Sequence, residues 1–196
     1  ALQIAFEHDN TLLIEKFIPG REFRIFIIND EVVGILHRVP ANVTGDGVLN
    51  IGQLIDRKNE DPLRGKGYRT PLEKIRKGRE EEMFLKQQGM DFNTVPKEGE
   101  VVYLRENSNI STGGDSIDFT DDIDDSYKAI AVEAAKALNV KITGLDMMIQ
   151  DIHAPATPDN YAIIEMNFNP AIHIHCYPFK GKNRHLNHKM IRALGF

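Results

Sequence analysis

Asp146, Glu165 and Asn167 are the side chains of this sequence best suited to hold a divalent cation. Glu165 and Asn167 lie two apart in Ile163-Ile164-Glu165-Met166-Asn167-Phe168-Asn169-Pro170, so on a strand both face the same side. Magnesium prefers hard oxygen ligands, keeps several waters, and binds through one or two carboxylates together with the phosphates of a substrate. A single acid at a strand end is usually only solvated. Here Asp146 sits in Gly-Leu-Asp-Met-Met-Ile and Glu165 in Ile-Ile-Glu-Met-Asn. In two such apolar runs a buried carboxylate without a partner would be costly, and a cation relieves that cost.

Arg38 and Arg105 each close an apolar run, which suits a pair of guanidinium forks aimed at phosphate or carboxylate oxygens; ordinary surface arginines are the alternative. The stretch Asn107-Ser-Asn-Ile-Ser-Thr-Gly-Gly114 offers amide and hydroxyl donors, and its glycines let backbone approach a ligand closely. Asn107, Asn109, Ser111, Gly113 and Gly114 are therefore candidate substrate contacts. The stretch lacks the lysine and spacing of a P-loop, which argues against a nucleotide hydrolase of that type. An extended Leu13–Ile18 could present backbone groups to a purine edge, although spacing alone favours a plain edge strand. Glu22, just past the Pro19-Gly20 turn, is a candidate acceptor for ribose hydroxyls. His173, His175 and Cys176 have zinc-ligand chemistry but poor spacing and no cysteine pair, so only His175 is kept, as a candidate substrate contact. No base or oxyanion site marks Cys176 as a nucleophile.

The elements that must position these groups follow from pattern. Leu12–Ile18, Glu22–Ile28 and Val32–Val39 read as strands of an antiparallel meander, with Asn29-Asp30 as a tight turn because both side chains tolerate positive φ. Asn50 caps a helix to about Lys58, and Pro71–Lys77 and Arg79–Gln88 read as two short helices split by Gly78. Residues 50–99 thus form a small helical insertion, followed by strand Val101–Leu104. Asn107–Asp118 has no apolar period and reads as loop. Asp121–Leu138 carries a helical apolar stripe with acids at its N-terminal end. Strands Lys141–Gln150 and Tyr161–Phe168 and a closing helix Arg184–Leu194 complete an α+β arrangement, mainly antiparallel sheet flanked by helices.

At 196 residues and 41% hydrophobic composition, the chain can bury one substantial core. Its net charge of -5 argues against nucleic-acid or anionic-membrane partners, so a phosphate ligand must be met by local cations and a metal. One cysteine, no signal peptide and no long apolar run point to a reducing cytoplasm. Ala1–His8 reads like the last turns of a helix that starts upstream, which suggests an excised piece.

Five segments together resemble the ATP-grasp ligases over nearly the whole chain. They are Glu15-Lys-Phe-Ile-Pro-Gly-Arg-Glu22-Phe-Arg24, Arg38-Val-Pro-Ala-Asn-Val-Thr-Gly-Asp-Gly47, Gly65-Lys-Gly-Tyr-Arg-Thr-Pro-Leu-Glu-Lys-Ile75, Leu104-Arg-Glu-Asn-Ser-Asn-Ile-Ser-Thr-Gly-Gly-Asp-Ser-Ile-Asp118 and Glu165-Met-Asn-Phe-Asn-Pro170. Within that superfamily the chain is most similar to the C-terminal glutathione synthetase module of bacterial bifunctional glutamate-cysteine ligase/glutathione synthetases, with cyanophycin synthetase and D-alanine-D-alanine ligase more distant. The resemblance implies an ATP-grasp C-terminal lobe over 1–196 that forms an amide through an acyl-phosphate, using ATP and Mg2+ or Mn2+. It implies glutathione synthesis from γ-glutamylcysteine and glycine, with other amino-acid ligations, or a non-catalytic nucleotide-binding module, as alternatives.

By the same resemblance Glu15, Lys16, Phe17 and Ile18 line the adenine pocket and Glu22 meets the ribose. Arg38 meets phosphates, Arg105 and 107–114 hold the acyl-phosphate region, Asp146, Glu165 and Asn167 bind the metal, and Asn169 helps shape that shell or touches substrate. Gly144 stands where some relatives carry a basic residue, for which Arg105 is the candidate substitute. Two lysines of an upstream lobe complete the family's phosphate clamp, so the piece alone is expected to turn over weakly or not at all. An upstream ligase domain of the same chain is the implied partner, and an oligomer is compatible with the pattern.

Overall fold

The structure, a computed structural model, describes every residue except Ala1, Gln3, Ile4, Ala5, His8, Glu15 and Tyr68. Its centre is a five-stranded antiparallel sheet in the order β7-β2-β1-β8-β9. Strand β1 (Arg21–Ile28) turns at Asn29-Asp30 into β2 (Glu31–Val39). Both turn residues take positive φ, 47° and 65°, as the hairpin twist requires. Later segments flank this hairpin: β8 (Ile142–Ile149) against β1, β9 (Tyr161–Asn167) against β8, and β7 (Asp115–Asp118) against β2.

Alternation along β1 decides the layers. Phe23, Ile25 and Ile27 point to one face and, with Ile35, Leu145, Met147 and Ile149, pack on the helix Asp125–Ala137 through Tyr127, Ala131 and Ala135. The other face is divided. Phe26, Ile28 and Val33 meet Cys176 and Leu186 of two C-terminal helices, His173–Cys176 and Leu186–Ala193. Glu22, Arg24, Arg38 and Asp146 share that second face.

Residues 50–99 share a second core with the flanking strands. Helix α1 (Ile51–Lys58) starts at an Asn50 capping box, and α2 (Arg79–Gln87) starts at Gly78. Ile51, Leu54, Ile55 and Leu85 bury themselves with Val43, Ile75, Val102 and Leu104, the last two around β6 (Val101–Tyr103), which pairs with β3 (Asn42–Thr44). The remaining helices are α3 (Asp125–Ala137), α4 (His173–Cys176) and α5 (Leu186–Ala193).

Three expectations change. Leu12–Ile18 contains no strand among its described residues, because no neighbour supplies hydrogen bonds to it. Pro71–Lys77 is not a helix: Leu72–Glu73 (β5) makes a short parallel pair with Arg64–Gly65 (β4), and Pro71 favours an extended preceding residue. Asn107–Asp118 is not wholly loop, for it holds a 3₁₀ turn at Ile110–Thr112 and then β7, whose hydrogen bonds come from distant β2.

Candidate active site

Register places the site. Arg24 on β1 is the Cα partner of Asp146 on β8, which in turn is the partner of Glu165 on β9, so a cation and two carboxylates form a row across three strands. Asn167 donates its amide to Glu165 Oε1 at 2.9 Å. A bulge follows at once, since Asp146 pairs with Glu165 but Met147 with Ile163. The metal candidates are thus neighbours on one face.

Asp146 is 2% exposed and has its charge met within the protein. Arg24 donates Nε to its Oδ1 and Nη2 to its Oδ2 at 2.8 Å, while Arg38 Nη2 reaches Oδ2 at 3.0 Å. Arg38 also pairs with Glu22, whose other oxygen accepts from Ser108. Arg38 Nε is buried without a partner among the described residues. Two guanidinium groups and two carboxylates therefore share one wall, with donor capacity left over for an anion.

That wall opens into a cavity of about 640 Å³, a size suited to a small-molecule ligand. Glu22, Arg38, Arg105, Asn107 and Asn109 line it, so five candidates from three segments meet there. Arg105 is held from the insertion side by Glu80 and by Glu81, whose Oε1 accepts from its Nε at 2.6 Å. Ser111 lines an adjoining smaller cavity with Arg24 and Arg38.

Other candidates lie elsewhere. Glu15 is outside the described residues. Lys16 and Phe17 are exposed, Phe17 at 85%, and Ile18 is half-buried; none of the three lines the cavity. Asn169 is exposed at the end of β9. His175 is wholly buried against Phe26 in an edge-to-face contact of 5.3 Å, with both ring nitrogens unpartnered among the described residues, and it lines neither cavity. Burial, with Arg24 nearby, pushes its pKa down to about 3. Gly113 and Gly114 are needed for packing: a Cβ on Gly113 would stand 2.8 Å from Ile75 Cα, and one on Gly114 2.8 Å from Val39 O. Their small size brings the loop onto protein backbone.

Sequence reading missed Arg24, because its Asp146 partner is 122 residues away. It also missed the buried cluster around Asp115, which pairs with Arg64 and with Lys58 at 2.7 Å and accepts from Asn42 at 3.0 Å. Phe179 lies beside Lys58 and Arg64, 5.3 and 5.4 Å from its ring centre. Burial lowers the pKa of both cations, and Asp115 opposes that shift.

Hard oxygens from Asp146, Glu165 and Asn167 fit magnesium. Among the described residues no three His, Cys, Asp or Glu side chains converge, and both Asp146 oxygens accept from Arg24 or Arg38, so a bound cation would have to compete with those guanidinium groups. Among the same residues no helix is long and apolar enough to cross a membrane.

Known proteins resemble the chain over nearly its whole length. No protein-family model matches the chain. It is 65% identical over 192 residues to the glutathione biosynthesis bifunctional protein GshAB of Desulfotalea psychrophila, covering 98% of this chain and 25% of that protein. It is 59% identical over 194 residues to the protein of the same name from Clostridium perfringens, covering 99% and 25%. The crystal structure of a bifunctional glutathione synthetase from Pasteurella multocida superposes with a TM-score of 0.85 at 46% identity, covering 98% of this chain and 27% of that one. The chain therefore spans about a quarter of the length of the curated relatives it matches. Its fold is the α+β, mainly antiparallel arrangement with flanking helices expected from its sequence.

Proposed function

We propose that this chain is the part of a longer protein that joins an amine to an ATP-activated carboxylate, with glycine and γ-glutamylcysteine as substrates and glutathione as product. The observation that carries the reading is the row Arg24–Asp146–Glu165, flanked by Arg38 and Glu22 at the mouth of the large cavity. The identity to bifunctional glutathione proteins supports the choice of substrates.

The chemistry runs in two transfers. A substrate carboxylate oxygen attacks the γ-phosphorus of ATP, giving an acyl-phosphate and ADP. The amine nitrogen then attacks the acyl carbon, phosphate leaves, and the amine's proton passes to solvent or to the departing phosphate. No covalent protein intermediate is needed, so the protein contributes position and charge. Arg38 and Arg105 line the same cavity and would stabilise charge moving between phosphate and carboxylate. Glu22 orients Arg38 and is a candidate ribose partner. Asp146, Glu165 and Asn167 would hold magnesium, which when bound neutralises phosphate oxygens. The 107–114 loop covers one side of the cavity through Asn107 and Asn109 and would limit loss of acyl-phosphate to water.

The test is Asp146→Asn, Glu165→Gln and Asn167→Ala in the full-length protein, assayed for glycine-dependent amide formation. Each is expected to remove it while circular dichroism stays unchanged. Near-normal glutathione output from all three would refute the metal assignment.

A further inference from the structure

Helix α2 meets Arg105 with two neighbouring carboxylates, and the two are not held alike. We propose that Glu81 is a positioning residue that fixes the Arg105 guanidinium at the large cavity, while Glu80 is a displaceable counter-ion that an anionic substrate must outcompete. The inference rests on the ligase reading above and on the place of Arg105 in it.

Glu81 is engaged through both oxygens. Its Oε2 accepts from the Gly78 amide at 2.9 Å, closing the first turn of α2, and its Oε1 accepts from Arg105 Nε at 2.6 Å. The residue is 1% exposed, so parting this carboxylate from its cation would leave an uncompensated buried charge. A helix N-terminus also favours a carboxylate. Just past the other end of α2, Gln88 donates Nε2 to the backbone oxygens of Phe84 and Tyr103 at 3.0 Å each, and Leu85 shares a core with Leu104. Arg105 follows directly on Leu104, so α2 grips the same stretch of chain at both of its ends. The guanidinium has little freedom to turn.

Glu80 is held far less. Among the described residues Arg105 is its one partner, through Nη1, and its side chain is 69% exposed. An ion pair so open to water contributes little and exchanges readily. Arg105 lines the large cavity and neither glutamate does, so both reach a ligand only through that guanidinium. Arginine has five N–H donors, and its bonds to the two glutamates leave others for an anion. An anion in the cavity draws on charge that Glu80 partly neutralises, and releasing Glu80 to solvent costs little.

Two adjacent residues of the same type should therefore give effects of opposite sign. In the full-length protein Glu80→Gln should raise kcat/KM for γ-glutamylcysteine about two- to fivefold, the range of a surface ion pair. Glu81→Gln should lower kcat roughly tenfold or more, as when a catalytic group loses its orientation. A glutamine has one oxygen where Glu81 uses two, so it can serve Gly78 or Arg105 but not both. In an Arg105→Ala background both effects should vanish, since each passes through Arg105. Circular dichroism checks folding. Glu80 is exposed, so its replacement spares the core, and Glu80→Gln in the two backgrounds decides the outcome even where Glu81→Gln unfolds. An unchanged or lower kcat/KM with Glu80→Gln, an unchanged kcat with folded Glu81→Gln, or either effect persisting without Arg105 would overturn the proposal while leaving the ligase reading in place. A parent protein that forms no amide from glycine and γ-glutamylcysteine would overturn both.

Discussion

Removing Arg24 tests the row of charges at its base. Arg24→Met deletes both of its hydrogen bonds to Asp146, a carboxylate 2% exposed, and leaves Arg38 Nη2 at 3.0 Å as the remaining partner. Breaking a buried ion pair from one side costs about 3–5 kcal/mol, and a charged hydrogen bond contributes about 1.5–3 kcal/mol. Because Arg38 still neutralises Asp146, the lower figure applies, about 3 kcal/mol. In a chain of this size that lowers Tm by roughly 6–12 °C. Asp146→Asn leaves Arg24 without its counter-ion but spares Arg38, which keeps Glu22. The double variant should be more stable than the sum of the single losses by about 2 kcal/mol, because each variant breaks the same contact. Urea unfolding of the four chains at one pH measures this coupling. Additivity within about 0.5 kcal/mol would show that the two side chains do not act as a pair and would undo the account of the site's floor.

Arg105→Ala in the full-length protein should lower kcat for ligation more than it raises the KM for ATP; equal effects would make it a binding residue only. Stability of the chain should fall on acidification from about pH 6.5 towards 3. His175 and His37 are held neutral by burial with pKa values of about 3 and 4, so the unfolded chain binds their protons first. His175→Phe should flatten that acid limb in pH-dependent urea titrations, and an unchanged slope would refute the assignment. Gly113→Ala should destabilise the chain by about 1–3 kcal/mol, since its φ of 97° and the 2.8 Å approach to Ile75 Cα both exclude a methyl group; hydrogen exchange across 107–114 reads the effect.

Local chemistry was legible where local chemistry decides the outcome. Asn50 and Gln53 satisfy each other's backbone amides at the start of α1, and Asn29-Asp30 turns the hairpin at positive φ, as their side chains predict. The stripe of Tyr127, Ala131 and Ala135 buries one face of α3. Where distant segments decide, the sequence is silent. The polar run before Asp118 becomes a strand only because β2 offers it an edge, and Leu12–Ile18 has strand-forming residues but, among those described, no strand partner. The alignment of Glu165 and Asn167 on one face follows from period two, whereas Arg24 enters the site through a register that no local pattern encodes. The Gly113-Gly114 pair carries the same glycine signal whether a ligand or a neighbouring backbone comes close.

The two borders of the central sheet are not alike. At β7, Lys180 bridges to Ile117 and the following residues cover the outer side, while β9 ends the sheet with Ile163 and Ile164 at 41% and 55% exposure. A border with unused amide and carbonyl groups and apolar side chains invites a second strand, so the separately produced chain is prone to self-association through β9. Ile164→Lys should raise the solubility limit of this chain, measured by precipitation against concentration, without changing the carboxylate beside it.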